Sequence, residues 1–258
     1  MSKTSVTKVF LACYDAIKAG KAIKRSSKRD KEFLLQDWFS ERLKDAKLEF
    51  HPLSRNKYPD FRLVDFPEGY EVKGLEFPGR RTTFDANSQP PSGQHNGYTV
   101  FYVFGRYPKY SEDLKEYPLI DLVICHGDFL NSDHGYVHKN ESFSGFGSYG
   151  DIMIRDRKMY VAPTPFELLK TADLNEKVIL ILPEELALDP EDKDSQRLLY
   201  VGDVIREEAK NLVVEYSFNL KTNKLTVKKE TNPNAGLKRK FKVYTAKSHI
   251  PHLPHSSR

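Results

Sequence analysis

A succession of short β-rich segments constrains the fold of this chain most strongly. The segments follow one another between residues 47 and 127, and turn residues separate them. Two segments with apolar residues at helical spacing precede this region, at residues 6–23 and 30–46. We therefore expect an α/β fold in which helices flank a central mixed β-sheet. The β-rich segments are KLEFHPL, FRLVDF, GYEVKGLEF, GYTVFYVFGRY and LIDLVICHG.

The remainder of the chain is less regular. Residues 78–97 and 131–150 are rich in Gly, Ser, Asn and Pro, which predicts two long loops with a functional role. Residues 201–210 have the composition of a helix, and LVVEYSFNLKTNKLTVKKE indicates a C-terminal β-hairpin that turns near residues 221–223. At 258 residues the chain is long enough for one large domain, so we expect a single domain over residues 1–258.

Composition excludes several classes of protein. Apolar residues make up 39% and charged residues 30% of the chain, which is typical of a soluble globular protein. The longest apolar runs, VILIL and LIDLVIC, are far shorter than the roughly 20 residues that span a bilayer. No secretory signal is visible, and two cysteines do not make a disulfide framework. We expect a protein of the bacterial or archaeal cytoplasm with no membrane association.

The charge of the chain is compatible with a polyanionic partner. The formal net charge is +5, and basic residues concentrate in KAIKRSSKRDK and in GLKRKFK near the C-terminus. Each of these segments is equally well explained as a solvated surface. Charge alone therefore permits nucleic-acid binding without demonstrating it.

Two acidic residues and a lysine are predicted to meet on one side of a sheet. Glu71 and Lys73 lie two positions apart in a predicted strand, so they share a face that Val72 does not. A turn at residues 67–69 would fold the preceding segment back as a hairpin and bring Asp60 near Glu71. Two carboxylates suit Mg²⁺, and a lysine beside them can hold a phosphate oxygen or orient a water molecule. This grouping is suited to phosphodiester hydrolysis.

The same residues resemble a known family. Pro59-Asp60, ten intervening residues and then Glu71-Val72-Lys73 are similar to the motif of the PD-(D/E)xK nuclease superfamily. In that superfamily a helix precedes a β-meander that carries the acids, and the order of segments here is the same. The resemblance implies a restriction-endonuclease-like core at about residues 30–126, with Asp60 and Glu71 as metal ligands and Lys73 as a catalytic residue.

Further similarities lie on either side of this motif. The helix of the superfamily often supplies another acid, which would be Glu32 here, with Gln36 as the other possibility. Asn87-Ser88-Gln89-Pro90 stands where several bacterial type II restriction endonucleases have an Asn-Ser-x-Pro loop. The resemblance therefore implies a Mg²⁺-dependent, site-specific endonuclease that cuts double-stranded DNA as a homodimer. Residues 127–258 would then hold DNA-recognition and dimerisation elements. Predicted DNA contacts are Arg80, Arg81, Asn87, Ser88, Gln89, Arg155, Arg157 and Lys158.

Other interpretations of the sequence stay open. The runner-up is a structure-selective or non-specific nuclease of the same superfamily. The chain would alternatively be a basic DNA-binding protein whose acids and lysines form a solvated strand face. Separately, a group of potential zinc ligands lies in a segment whose glycines favour a loop, which weakens the meaning of their spacing. These residues are Cys125, His126, Asp128, Asp133, His134 and His138.

Overall fold

The fold was analysed from a computed structural model. It describes residues 4–24, 33–51, 58–79, 82–86, 90–131, 136–140, 158–170, 172, 174, 176–186, 188–219 and 224–247. The helices are α1 (Val6–Lys18), α2 (Leu34–Asp45), α3 (Gly127–Asn131), α4 (Pro165–Leu168) and α5 (Lys193–Gln196).

The architecture is α/β, with a mixed central sheet flanked by a few helices, as predicted. The central sheet has eight strands in the order β12-β15-β11-β8-β6-β3-β2, and β5 adds to β6 beside this path. Its strands are β2 (Phe61–Arg62), β3 (Glu68–Phe77), β5 (Gln94–His95), β6 (Tyr98–Pro108), β8 (Asp121–His126), β11 (Val178–Pro183), β12 (Leu198–Glu207) and β15 (Lys238–Ala246).

A second sheet has five strands in the order β14-β13-β9-β10-β4, and a two-stranded sheet pairs β1 with β7. Strands β13 and β14 pair antiparallel, which confirms the predicted C-terminal hairpin. The strands of these two sheets are β1 (Ile23–Lys24), β4 (Thr83–Asp85), β7 (Glu116–Tyr117), β9 (Tyr136–Asn140), β10 (Lys158–Pro163), β13 (Asn211–Asn219) and β14 (Lys224–Thr231).

Each face of the central sheet has its own apolar core. Helices α1 and α2 cover one face, where the predicted stripe of α2 is buried against Tyr70 and Val72 of β3. The other face packs against α3 and against β4 and β10, through residues that include Phe84 and Ala162. Alternation along β3 therefore sends Tyr70 and Val72 toward the helices and Leu75 toward the opposite core.

Several predicted elements are wrong. Residues 201–210 do not form a helix; most of them belong to β12, whose antiparallel bonds to β15 override a helical composition. Residues 136–140, expected within a loop, form β9 between β10 and β13. Among the described residues of the first β-rich segment, 47–51, no strand forms, and Phe50 makes an isolated bridge to Leu63. The first residue of the second predicted loop, Asn131, is still helical, because it is the last residue of α3.

The expected β-meander holds only in part. β2 and β3 pair antiparallel, as do β6 and β8, but β3 and β6 run parallel over ten residue pairs. A parallel neighbour requires a crossover connection of a dozen or more residues, and residues 78–97 provide that length. This segment contains the short strands β4 and β5, so it is less irregular than its composition predicts.

Two further observations concern the described residues. None of the helices among them is long and apolar enough to cross a bilayer. Cys13 and Cys125 are both buried, and burial raises the pKa of each thiol, as expected for cysteines that serve only in packing.

Candidate active site at the β2–β3 hairpin

The register of the β2–β3 hairpin places two acidic residues side by side. Phe61 pairs with Tyr70 and Arg62 with Gly69, so the next position along sets Asp60 opposite Glu71. The turn occupies residues 64–67, because the Leu63 N–H donates to the Glu68 carbonyl at 3.0 Å. The predicted turn at 67–69 is therefore displaced, since Glu68 and Gly69 already belong to β3. The predicted proximity of Asp60 and Glu71 is confirmed.

Gly69 has a specific steric role in this hairpin. A Cβ atom at Gly69 would lie 2.3 Å from Pro59 Cγ, so only glycine lets the Pro59 ring pack against β3. Pro59 immediately precedes Asp60, and its position fixes where the carboxylate begins. The Pro-Asp pair of the sequence is thus held against the strand that carries Glu71.

Each carboxylate accepts a hydrogen bond from a backbone N–H on the other side of the hairpin. Asp60 Oδ2 accepts from the Val72 N–H at 2.9 Å, and Glu71 Oε2 accepts from the Asp60 N–H at 3.2 Å. Strand β2 is only two residues long. Beyond its end, the Asp60 carboxylate accepts the hydrogen bond from Val72 that a backbone carbonyl of a longer strand would accept. The carboxylates are thereby fixed by backbone groups rather than by flexible side chains.

Lys73 lies on the same face of β3 as Glu71. Its Nζ atom is 2.7 Å from Glu71 Oε1, while only 19% of the Lys73 side chain and 8% of the Glu71 side chain are exposed. Alternation in the strand predicted this pairing. An ammonium group therefore faces the carboxylate pair from a largely buried position.

Helix α2 contributes Gln36 rather than a described acid. The Gln36 side chain makes a hydrogen bond to the Asp60 carboxylate. The alternative residue, Glu32, lies outside the described residues. Two paired glycines, Gly74 and Gly105, bring α2 close to the sheet, because a Cβ atom at either would lie 3.2 Å or less from the Leu35 side chain. Leu35 is buried beside Gln36, so the depth of this contact sets the reach of Gln36.

The electrostatics of the site are those of two like charges in a confined space. Burial and the neighbouring Glu71 charge raise the pKa of Asp60 to about 7. Lys73 and the hydrogen bonds from Val72 and Gln36 act in the opposite direction. When both acids are ionised, the pair carries one more negative charge than Lys73 offsets, and a cation near Asp60 would compensate it.

The donor set fits a hard divalent cation. In the part of the chain that the structure describes, no group of three or more His, Cys, Asp or Glu side chains is placed to hold a metal ion. Mg²⁺ does not need such a cage, since it binds proteins through one or two carboxylates and keeps several water molecules. Asp60 and Glu71, fixed by backbone groups and mutually repulsive, match that requirement.

Two tyrosines that the sequence analysis missed border the carboxylates, and a histidine packs against one of them. Tyr58 hydrogen-bonds Tyr102 through their hydroxyl groups at 2.8 Å, and Tyr102 lies beside Glu71 in the β3–β6 register. Burial raises the pKa of Tyr58, and the charges of Glu71 and Asp60 add to this effect. The His95 ring packs edge-on against Tyr58, with 4.8 Å between ring centroids.

A sequence signal for His95 was available. Asn96 and Gly97 both have positive φ, at 48° and 82°, and they connect β5 to β6. Asn-Gly between β-forming residues is typical of a type I′ hairpin turn. That dipeptide predicts a hairpin inside residues 78–97, with His95 beside its turn.

The predicted DNA-contacting residues are for the most part outside the described residues. Lys158 begins β10, where its backbone pairs with Asn140 in the five-stranded sheet, whereas the carboxylates lie in the central sheet. The structure thus brings together Asp60, Glu71 and Lys73, and it places the Lys158 backbone in a strand of the other sheet. The residues outside the described part are Arg80, Arg81, Asn87, Ser88, Gln89, Arg155 and Arg157.

The basic segment near the C-terminus makes extensive ion pairs. Lys240 lies 3.0 Å from Asp203 and 3.1 Å from Glu184. Arg239 lies within 4 Å of three carboxylates, of which Asp128 is the nearest at 3.1 Å. Acidic neighbours therefore offset much of the positive charge that the sequence displays in GLKRKFK.

The group of potential zinc ligands contains a buried histidine. His126 ends β8, and burial lowers its pKa, while Asp128 at 3.6 Å acts in the opposite direction. Asp128 also accepts from the Gly93 N–H at 2.8 Å. Asp133 and His134 lie outside the described residues, and the backbone of His138 belongs to β9. His126 and Asp128 thus contact the segment that leads into β5.

Comparisons with known proteins give no family assignment. Searches against protein-family models, curated protein sequences and solved structures each found no match to this chain.

Proposed function

We propose that this chain is a Mg²⁺-dependent endonuclease of the PD-(D/E)xK type that cuts double-stranded DNA at specific sites. The observation that carries the proposal is the hairpin register that sets Asp60 opposite Glu71, with Lys73 Nζ 2.7 Å from Glu71. Three residues chosen from a sequence pattern meet at one point of the fold. A solvated strand face would not place an acid pair and a lysine in a largely buried site.

Each residue has a role that its chemistry supports. Asp60 and Glu71 would hold Mg²⁺, which when bound compensates the charge of the scissile phosphate and lowers the pKa of a bound water. Lys73 is a compact cation with three donors, suited to orienting the attacking water or a phosphate oxygen beside Glu71. Gln36 orients the Asp60 carboxylate from α2.

The surrounding elements support a restriction-endonuclease-like core. Helix α2 precedes the hairpin that carries the acids, and its apolar stripe packs on the same strand. A two-fold homodimer would place one such site on each strand of a palindromic sequence. Residues 127–258 would then supply recognition and dimer contacts, and the enzyme would act in the cytoplasm.

The ion pairs of the basic C-terminal segment count against a non-catalytic alternative. A DNA-binding module without catalysis depends on exposed cations that neutralise phosphates. Here Arg239 and Lys240 are engaged by acidic neighbours. The acid pair beside Lys73 is the feature that the nuclease proposal explains and that a non-catalytic module leaves unexplained.

Incubation with a long phage DNA tests the proposal. We expect discrete fragments with Mg²⁺ and none with EDTA, and a smear would instead indicate a non-specific nuclease. Lys73→Ala should lose cutting by at least about 100-fold while DNA binding stays measurable. Lys240→Ala, which removes another lysine paired with acids on a strand, is the matched control and should cut normally. Absence of cutting by the wild type with Mg²⁺ or Mn²⁺ would overturn the proposal.

A further inference from the structure

The hairpin formed by β5 and β6 is firmly attached beside the acid pair. The His95 ring lies 4.8 Å from the Tyr58 ring, whose hydroxyl contacts Tyr102 at 2.8 Å. Tyr58 is two residues from Asp60, and Tyr102 is the strand neighbour of Glu71. One tyrosine ring therefore separates His95 from the wall of the carboxylate site.

The other end of β5 is anchored as well. The Gly93 N–H donates to Asp128 at 2.8 Å, and the Gly93 carbonyl accepts from Val100 at 2.9 Å. A Cβ atom at Gly93 would lie 1.9 Å from the His126 ring, so the backbone here packs directly against that side chain. The Asn-Gly turn fixes the opposite end. His95 thus occupies a defined position although it is partly exposed.

The hydrogen bond of His95 indicates which ring nitrogen is the donor in the neutral imidazole. Asn96 Nδ2 lies 3.0 Å from His95 Nε2. An amide nitrogen only donates, so Nε2 accepts and the proton of the neutral ring lies on Nδ1. An N–H donor at Nδ1 is suited to an anionic oxygen.

We propose that His95 is a DNA-contacting residue that binds a backbone phosphate next to the scissile one. The inference rests on the proposed function and extends it to the strand that flanks the cut. A side chain one ring away from a phosphate-binding site meets the same DNA backbone, and phosphate and sugar accept half or more of protein–DNA hydrogen bonds. Tyr58 is the positioning residue, because its ring seats the imidazole.

Variants at both positions test the inference on a short duplex that carries the sequence the wild type cuts. His95→Ala should raise KM about tenfold, since a hydrogen bond to a charged group is lost, and should leave kcat within about threefold. Because phosphates are common to all sequences, DNA binding in EDTA should weaken equally for a duplex of unrelated sequence. His95→Gln, which restores a donor, should recover part of the affinity.

Variants of Tyr58 distinguish a role in positioning His95 from a general effect on folding. Tyr58→Leu removes the ring under His95 and should reproduce the His95→Ala increase in KM. Tyr58→Phe keeps the ring and removes only the hydroxyl that bonds Tyr102, so its increase in KM should be smaller than that of Tyr58→Leu. Tyr200→Phe removes a tyrosine hydroxyl on β12, at the far edge of the central sheet, and is the control. Melting temperatures of the His95 variants should match the wild type, because a partly exposed substitution changes stability little.

Distinct outcomes separate failure of the inference from failure of the proposed function. A wild type that never cuts removes the function and the inference together. A wild type that cuts, with His95→Ala cutting at unchanged KM, overturns the inference alone. A binding defect confined to the cleaved sequence also overturns it, since that pattern indicates contact with a base edge.

Discussion

Strand β3 carries two buried glutamates, three residues apart, with opposite environments. Glu68 accepts from the Ser5 N–H at 3.0 and 3.1 Å, from the Ser5 hydroxyl and from the Tyr70 hydroxyl at 3.2 Å. Glu71 accepts from the Asp60 N–H and faces Lys73, with a second carboxylate beside it. Counting all atoms of each residue, Glu68 is 5% exposed and Glu71 is 6% exposed, so burial does not distinguish them.

The difference is in what surrounds each charge. Donors from α1 and from β3 itself surround Glu68, and the bonds to Ser5 tie the start of that helix to the sheet. Glu71 shares its space with Asp60, whose pKa is raised by burial and by Glu71. A carboxylate that serves only the fold gains nothing from a like-charged neighbour. We therefore expect Glu68 to serve the fold, whereas the surroundings of Glu71 agree with its proposed role as a metal ligand.

The largest effect is expected from removing the charge at Glu71. Glu71→Gln keeps the shape of the side chain and should reduce cutting by about 1,000-fold or more, because a metal ligand and the partner of Lys73 are lost together. Its melting temperature should stay at or above that of the wild type. Gel assays and thermal unfolding measure the two quantities, and a variant that cuts normally would remove Glu71 from the site.

The matched change at Glu68 should have the reverse pattern. Glu68→Gln places an amide among donors, which leaves buried N–H groups facing one another and should cost about 2 to 3 kcal/mol of stability. The folded protein should still cut at a normal rate at low temperature. Denaturant unfolding measures the loss. A variant that is stable but inactive would break the distinction between the two glutamates.

The acid pair should also make stability depend on pH. Asp60 holds its proton up to a pH of about 7 in the folded protein, against about 4 when unfolded. The folded state thus binds more protons in this interval, so metal-free stability should fall as pH rises from about 4 to 7. Asp60→Asn should remove this component and should abolish cutting.

Thermal unfolding in EDTA from pH 4 to 8 measures the dependence. Mg²⁺ should raise the melting temperature of the wild type most at the upper end of this range, where both acids are ionised, and should not do so for Asp60→Asn. Identical pH profiles for the two proteins would contradict the assignment of a repulsive pair.

The smallest effect is expected at Tyr70. Tyr70→Phe removes one of the hydroxyl groups that donate to Glu68 and should lower stability by about 1 kcal/mol without changing cutting. Chemical unfolding resolves a change of this size. A loss of cutting in the folded variant would show that the two glutamates are coupled through the strand.

The hairpin that carries the acids was predictable because its determinants are local. Strand alternation gives the shared face of Glu71 and Lys73, and a short turn brings Asp60 back to β3. The apolar stripe of α2 likewise gives its buried face. These features depend on residues close together in sequence, so the pattern of the chain contains them.

The failed predictions depend on distant partners. Residues 201–210 form a strand because β15, thirty or more residues later in the chain, supplies their hydrogen bonds. β9 exists between β10 and β13, which flank it only after folding. Tyr58 and His95 meet across 37 positions, so no local pattern joins them. The hydrogen bond from Gln36 to Asp60 depends on how α2 packs on the sheet, and Glu32 lies outside the described residues.

The two glycines beneath α2 give the site a mechanical sensitivity that its acids do not have. Asp60 and Glu71 are fixed within one hairpin and would survive transfer of that hairpin to another scaffold. Gln36 reaches Asp60 only because Gly74 and Gly105 leave room for Leu35 to settle on the sheet. A methyl group at Gly74 would lie 3.2 Å from Leu35 Cβ, so we expect α2 to shift and the Gln36 amide to lose contact with Asp60. Side-chain volume in the core, away from the charged groups, would then control how closely Gln36 approaches Asp60.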